Sequence, residues 1–530
     1  MTGIVGAGNE ISIQGKERGV KDMKKLWMTV LFVFLVGLMV PLSAKADEKK
    51  PVLMWTNMYL HEGKFSPLDN LKDKRTEWRS TDPSVVEVYP NGNVLAKKQG
   101  TAVIIATLEG EEYYCKIRVG DKPYREWENI VTEPKFTIYN GILFDYAGNN
   151  AEVVVPDGVH TIREEAFAYC TETLEKVVLP DSVTTIEAEA FANCTKLKEV
   201  QFGQGLKSIG GHAFYRCENL EVISSLSNVE WISANAFWQC DKLADIGSLD
   251  SLKGIGAGAF ASTPWLEAQL AENDSMLICN GILIDGKQCA GAVKIPNTVK
   301  IIAPGAFSFN TKIESVEIPE SVTIIGSGAF TCCYKLKSIS MADSVQTIEG
   351  GAFEQCIRLK NIRLSNGLQK IGNQAFRQCK RLYNISIPES LTELGEDIFM
   401  FCEGMKFVTI SPDMDKQLCK RLLDDVKEHC KDTVKIYTIT EELQPEVRDI
   451  IEASGLTLCD LKLLTDEVIL KKGEVFEQRL ESRAKANWKS EDTSVATVNK
   501  YGRIVARGKG STVVTVTIYG KEYSCTVTVQ

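Results

Sequence analysis

The sequence predicts a mainly β chain of 530 residues: a solenoid of two tandem blocks of 23-residue repeats, set between two β-sandwiches, with a small α/β cap after the solenoid. Three observations carry that prediction. Ala-Phe pairs place Phe at 167, 191, 214, 237 and 260, then at 307, 330, 353 and 376, and Ile398-Phe399 closes the series. A pattern that begins at Asn140 recurs from Asn280 and divides the series in two. Residues 78–119 align without a gap on 488–529, an offset of 410, on either side of the repeats.

The repeats come first, because a missed repeat misassigns the whole fold. Three residues after the Phe stands Cys at 170, 194, 217, 240, 333, 356, 379 and 402, with Thr263 and Asn310 in the two remaining slots. A representative unit runs Ala329-Phe330, Cys333, Leu336, Ile339, Met341, Val345, Ile348. Its Leu-x-x-Ile-x-Leu core alternates at the end, as a short strand with one buried face must. A unit this small cannot cover its own apolar residues, so copies stack into one continuous core. At ~4.8 Å per parallel strand, ten coils make a rod of roughly 50 Å. Asn140-Gly-Ile-Leu-Phe144 recurs as Asn280-Gly-Ile-Leu-Ile284, and Pro156 and Val159 as Pro296 and Val299. Each copy reads as a hairpin and half-repeat leading into five Phe coils, over 136–273 and 274–412. These features describe a leucine-rich repeat solenoid. The Ala-Phe-x-x-Cys pattern with the Asn-Gly-Ile-Leu hairpin resembles the BspA-type leucine-rich repeat family of bacterial surface proteins, over roughly half the chain. That resemblance implies a binding or adhesion role.

After Ser411-Pro412 the period changes. Leu418, Leu422, Val426 and Cys430 recur every four residues, an amphipathic helix in 413–431. Residues 434–439 read as a strand and 441–454 as a second helix, so 413–459 is expected to be a cap and linker over the last coil.

The flanking modules, 47–122 and 460–530, match at Trp78 and Trp488, Asp82 and Asp492, Gly92 and Gly502, Gly100 and Gly510, and Cys115 and Cys525. Short alternating strands such as Thr512–Ile518, bounded by turns such as Asn91-Gly92, indicate a β-sandwich. The Trp-x-Ser-x-Asp-x-Ser-Val motif resembles the bacterial immunoglobulin-like group 2 domain, which implies a spacer or adhesive module on an exported protein. Trp78 and Trp488 are expected in the sandwich cores. The front of the N-terminal copy, 51–77, is less regular, and residues 123–135 read as a linker.

Residues 23–46 read as a cleaved secretory signal. Lys24 and Lys25 precede an apolar run from Leu26 to Val40, too short for the ~20 residues of a membrane span, and Ala44-Lys45-Ala46 supplies the cut before Asp47. Met23 is then the expected start, and residues 1–22 are an over-called start or a short extension. Their Gly3-to-Gly8 run lacks the strand–loop–helix context of a dinucleotide site. Cleavage leaves 55 Lys and Arg against 67 Asp and Glu, a net charge of −12 where the whole chain has −9. Such an acidic chain argues against binding nucleic acid by phosphate neutralisation. The expected location is secreted or cell surface, with no membrane span in the mature chain. Thr526-Val-Thr-Val-Gln530 carries no sorting motif or hydrophobic tail, so attachment to the envelope is expected to be noncovalent, or the protein is released.

Sixteen Cys are too few for a disulfide framework of this length. Parallel neighbours in the Cys column point the same way, which favours a ladder of buried thiols over bridges. Cys279 and Cys289 flank the second hairpin and are the one local pair for which bridge and thiols both remain open. Four His are scattered over different modules, and no metalloprotease, Walker or nucleophile-elbow motif is present. The sequence therefore calls for no enzyme, no cofactor and no metal. Two functions compete: an exported binding or adhesion protein that engages an extracellular protein or glycan, and a structural spacer or display component of the envelope. For the first, the outward residues of the Leu-x-x-Ile-x-Leu segments are the candidate surface. In the first block Glu175, Glu199 and Glu221 mix with Lys176 and Lys198. In the second block Lys337, Lys360, Arg363, Tyr383 and Lys406 form a basic, partly aromatic stripe, with no Asp or Glu in those segments of the last four coils. That stripe is the expected ligand-binding site for an anionic glycan or acidic protein surface.

Overall fold

The computed structural model describes residues 57–68, 75–120, 135–168, 170–273, 275–411, 414–430, 434–438, 445–460, 467–477, 487–499, 502–518 and 521–530. The signal read at 23–46, its cut between Ala46 and Asp47, and the start at Met23 lie outside these residues.

Every coil but the last of the first block, which has no strand at 243–246, contains two short parallel strands where the sequence shows one. The Leu-x-x-Ile-x-Leu segments build a front sheet: Glu152–Val154, Lys176–Val178, Glu199–Gln201 and Val222–Ile223 in the first block. In the second block it runs from Gly291–Lys294 through Ile313–Ile318, Ser338–Met341, Asn361–Ile362 and Asn384–Ser386 to Phe407–Ile410. A second, two-residue strand such as Thr185–Ile186 or Thr347–Ile348 repeats at every coil and builds a side sheet. Two residues are too few for any period to show in the sequence.

The third edge of each coil is the Phe turn. Successive rings stack with centroids 4.5–5.3 Å apart from Phe167 to Phe260, and 4.9–6.1 Å apart from Phe307 to Phe399. Every one of these rings is buried. The residues two before and two after the Phe take left-handed backbone, as at Glu189 and Asn193 around Phe191. This turns three amides per coil toward the next one: Glu189 donates to Gly211, Phe191 to Ala213 and Asn193 to Tyr215. The buried Cys completes the turn by donating its thiol to the Phe carbonyl of the preceding coil, 3.2 Å for Cys217 on Phe191 and for Cys356 on Phe330. Burial pushes the Cys194 thiol up to about 12, which removes the reactive thiolate. Among the described residues no disulfide forms, and Cys279 and Cys289 are both thiols.

The two Cys replacements mark the seam between blocks. Thr263 donates to the Phe260 carbonyl and accepts from the Leu266 amide, so it caps an unanticipated helix, α1 (Pro264–Glu272), that leads out of the last coil. Trp265 on α1 covers the exposed end of the ring stack, 4.7 Å from Phe260. Asn310 spans the other side, donating to the Gly286 and Cys289 carbonyls. Both hairpins are present, Lys135–Tyr139 with Ile142–Ala147 and Leu277–Cys279 with Ile282–Asp285, and each feeds its second strand into the side sheet.

The cap extends the solenoid as well as covering it. Helices α2 (Lys416–His429) and α3 (Pro445–Ser454) alternate with strands Lys435–Thr438 and Thr457–Asp460, which join the front sheet in parallel. The last Phe turn has no following coil to accept its amides. Asp425 of α2 replaces it, taking the Ile398 and Phe399 amides at 2.9 and 3.0 Å.

The two flanking modules share one strand order, a four-stranded and a three-stranded sheet. The offset of 410 extends further upstream than sequence alignment reaches: Asn57–Leu60 matches Glu467–Leu470, each parallel to the last strand of its module. Gly92, with φ +80°, lies flat against Trp78, and a Cβ there would come within 2.8 Å of the indole. The N-terminal module docks on the solenoid through the outer face of its larger sheet. Val103 and Ile105 pack on Phe144, and Arg118 pairs with Asp145, both side chains 1% exposed. Lys116 donates to the Glu164 carbonyl at 2.9 Å. Burial, reinforced by Arg118, pushes its ammonium down to about 7, against the pull of Asp145, Glu165 and Glu164.

Three outcomes follow from this packing. Phe353→Ala should destabilise the chain by about 3–5 kcal/mol through cavity formation, and Cys356→Ser by less, because a hydroxyl still reaches the Phe330 carbonyl; denaturant midpoints compare the two. Asp425→Ala should cost about 1–3 kcal/mol for each of the two stranded amides, with amide exchange at Ile398 and Phe399 accelerating first. The depressed pKa of Lys116 means that the unfolded chain holds the extra proton between about pH 7 and its ordinary value. The Lys116 contribution to stability should therefore rise with pH across that window and be flat below it, opposed above about pH 9 by the buried thiols, whose raised pKa values act in the other direction. Subtracting the unfolding profile of Lys116→Met from that of the unaltered chain should isolate the rising contribution.

Candidate functional site

The candidate surface is the outward face of the second-block front sheet. Alternation puts Leu336 and Ile339 into the core and leaves Lys337, Ser338 and Ser340 outside. The register aligns Lys294, Glu317 and Ser340 along one row, with Arg363 continuing it beyond the Ser338–Asn361 and Ile339–Ile362 pairs. Glu314, Lys337, Lys360, Tyr383 and Lys406 occupy a second row at intervals of 23.

The structure does not keep this stripe uniformly basic. Lys337 pairs with Glu314 of the preceding coil at 2.8 Å, and Arg363 pairs with Asp343 at 3.3 Å. Glu314 belongs to the first coil of the block, and Asp343 stands in the turn after Met341. Neither falls inside the segments whose lack of acids suggested a positive face. Among the described residues, Lys360 and Lys406 have no carboxylate partner. Pairing at one-coil offset governs the first block as well: Lys198 meets Glu175 at 2.7 Å, Lys176 meets Glu199 at 3.4 Å, and Lys242 meets Glu221 at 3.0 Å.

The far end of the stripe is covered. Tyr437, in register with Thr409 and pointing outward from the same sheet, is fully buried in the core of the C-terminal module with Leu470, Val495 and Val514. Phe407 packs against that core, and Tyr383 lies edge-on to Phe407 at 5.3 Å. Tyr383 and Lys406 are half-buried in consequence, whereas Lys337, Lys360 and Arg363 are exposed. A cleft of about 690 Å³ opens beside the accessible part, lined by Lys294, Glu317, Glu320, Asp343 and Arg363. Four of these charges are paired, Lys294 with Glu317 at 3.4 Å and Arg363 with Asp343. Periodicity located the stripe, but it carries no information on a separate module settling over its end.

One group with metal-ligand chemistry was not apparent from the sequence. Asp397, Asp425 and His429 bring their ligand atoms within 4.8 Å of one another. His429 Nε2 lies 3.1 Å from Asp397 Oδ1, and burial raises the Asp425 carboxyl despite its two amide donors. The i, i+4 spacing of Asp425 and His429 on α2 was the available signal. The carboxylate of Asp425 is already used as the cap of the last Phe turn. Among the described residues no helix is long and apolar enough to cross a membrane.

Comparison with known proteins places these features. The model of the BspA type leucine rich repeat region matches residues 160–275 and 287–406, in six copies. The model of the intimin immunoglobulin-like domain matches residues 483–518. No curated protein matches the chain. Among solved structures, a leucine rich cell surface protein of Faecalibacterium prausnitzii is 24% identical, with 53% of this chain and 93% of that one covered, at a TM-score of 0.29. The pneumococcal vaccine antigen PcpA is 18% identical, with 63% and 98% covered, at 0.37. A leucine-rich repeat protein of Bacteroides ovatus is 22% identical, with 64% and 84% covered, at 0.27. The repeats that build the solenoid are similar to the BspA type leucine rich repeat region over residues 160–275 and 287–406, and the C-terminal module is similar to the intimin immunoglobulin-like domain over residues 483–518.

Proposed function

We propose that this chain is an exported, non-catalytic binding protein of the cell exterior, whose second-block front sheet captures an anionic ligand. The observation that supports this most is an exposed ledge where Lys360 stands without a carboxylate partner among the described residues, between the ion-paired Lys337 and Arg363. An anion arriving there can exchange the weak surface pairs, each worth about 0–1 kcal/mol, for its own contacts. The backbone beneath it is a paired sheet, so the ordering cost of binding falls on the side chains alone. Export rests on residues 23–46, which have the layout of a cleaved signal. The similarity of the repeats to the BspA type leucine rich repeat region, and so to bacterial surface proteins, points the same way.

The competing reading is a spacer, supported by the two sandwiches that clasp opposite ends of the solenoid through different faces. Heparin separates the two. The full chain should be retained on immobilised heparin at low salt and released as ionic strength rises. Replacing Lys360, Arg363 and Lys406 together by Ser should abolish retention without moving the melting temperature. Failure of the unaltered chain to bind at low salt favours the spacer. Unchanged retention of the triple variant, with retention altered by replacing Glu199 or Glu221, would move the site to the first block.

A further inference from the structure

The corner where each Phe turn of the second block runs into the front sheet carries charges that the fold does not balance. The residue just before the inward Ile or Leu of that sheet is Lys312, Lys335, Arg358 and Arg381 in four successive coils. All four cations are exposed, and none has a carboxylate partner among the described residues. They stand one above another at the 4.9–5.5 Å rise of the Phe rings beneath. Lys380 adds an exposed ammonium beside Arg381. The same slots of the first block hold Thr173, Lys196, Asn219 and Lys242, and Lys242 is paired with Glu221 at 3.0 Å.

Stability does not explain the row. Like charges on neighbouring strands repel, and elsewhere the solenoid alternates signs from coil to coil, as in Lys198 on Glu175 and Lys176 on Glu199. The acid closest to the row feels several cations at once: Lys337, with Lys335 and Arg358 behind it, holds the Glu314 carboxyl below its ordinary range. A positive edge on a chain of net charge −9 runs against the average of the molecule. A second feature follows the same corner. Phe309, three residues before Lys312, is 55% exposed, and Tyr334, next to Lys335, is 37% exposed. Phe309, Cys332 and Gln355 hold equivalent places two after the stacked Phe, and the Tyr334 hydroxyl reaches Gln355 at 3.4 Å. Half-buried Ile357 continues the apolar line beside Arg358. Exposed rings and unpaired cations thus share one edge, and neither sandwich covers it.

We infer that this edge, with Phe309, Lys312, Tyr334, Lys335, Arg358 and Arg381, docks the chain on the surface of an anionic phospholipid bilayer. Charge complementarity brings the cations to net negative headgroups, and each cation near such a surface strengthens binding about five-fold. Charge alone suits any polyanion, and the exposed rings select the bilayer. A soluble polyanion leaves Phe309 in water, whereas a headgroup layer takes Phe and Tyr at its boundary with the acyl chains. The apolar stems of Lys and Arg lie along the same boundary while their charges stay among the headgroups. A patch of so few rings and cations makes a peripheral, reversible contact and spans nothing. Docking here shares no residue with the Lys360 ledge and does not depend on a ligand there.

Co-sedimentation of the full chain with vesicles tests the assignment, with phosphatidylglycerol mixed into phosphatidylcholine in one set and phosphatidylcholine alone in the other. The chain should bind the anionic vesicles at low salt, release them as ionic strength rises, and leave the neutral ones. Replacing Lys335, Arg358 and Arg381 together by Ser should weaken vesicle binding about 100-fold. Phe309→Ser should weaken it about ten-fold and leave retention on heparin unchanged, which separates a bilayer from a soluble polyanion. Melting temperatures should show that both variants fold. The Lys360, Arg363 and Lys406 triple variant should keep the vesicles, so the ledge can fail without the edge. No binding of the unaltered chain to anionic vesicles at low salt, or equal binding by the folded Lys335, Arg358 and Arg381 variant, overturns the docking edge. Unchanged vesicle binding by Phe309→Ser overturns it as well, and leaves an edge for soluble polyanions in its place.

Discussion

Stacking one buried Phe per coil on the next is the constraint on which the rest of the molecule depends. Rings repeated at 5.0 and 5.1 Å, as at Phe191, Phe214 and Phe237, set the same rise for everything attached to them. Backbone amides then reach the following coil on all three edges. The Cys thiol, Thr263 and Asn310 look interchangeable only because each is a compact donor that reaches a neighbouring backbone carbonyl. Thiol chemistry has no part in this. The slot selects for size and one hydrogen, and where the chain must leave the coil a stronger donor takes over.

A stack of this kind has ends, and every end leaves amides or rings without partners. The molecule answers each with a different device. Tyr146 and Phe136 of the first hairpin extend the ring column at the start, Trp265 closes it at the seam, and Asp425 takes the last two amides. The equivalent of Tyr146 in the second hairpin is Gly286, where a Cβ would collide with Phe307. Two copies of one hairpin therefore do different work, one closing a free end and the other fitting between coils.

The same divergence separates the two sandwiches. Lys116 and Arg118 dock the N-terminal copy on the hairpin, and the corresponding residues of the other copy are Thr526 and Thr528. The C-terminal copy instead receives Tyr437 from the front sheet into its core. Docking by a buried ion pair in one case and by a buried ring in the other leaves different surfaces open. That choice confines the basic stripe to its exposed middle.

Sequence alone determined the repeat, its two blocks, the paired flanking modules and the inward Phe, Leu and Ile residues, because periodicity is a local property that survives in one dimension. The row of candidate cations was legible for the same reason. Tertiary structure decided which charges were cancelled: Asp343 sits in a turn outside the repeated segment, and Glu314 lies one coil away. It also decided that Tyr383 and Lys406 are half-covered, that α1 interrupts the solenoid, and that Cys279 and Cys289 are not bridged. It brought His212, Tyr215, Asn235 and Trp238 together as well, from two coils that sequence shows only as successive repeats. These outcomes depend on which elements meet across the coil axis. Stacking converts a full repeat of sequence separation into ring contact at 5.1 Å, and no pattern within a single repeat reports what lies on the rung above.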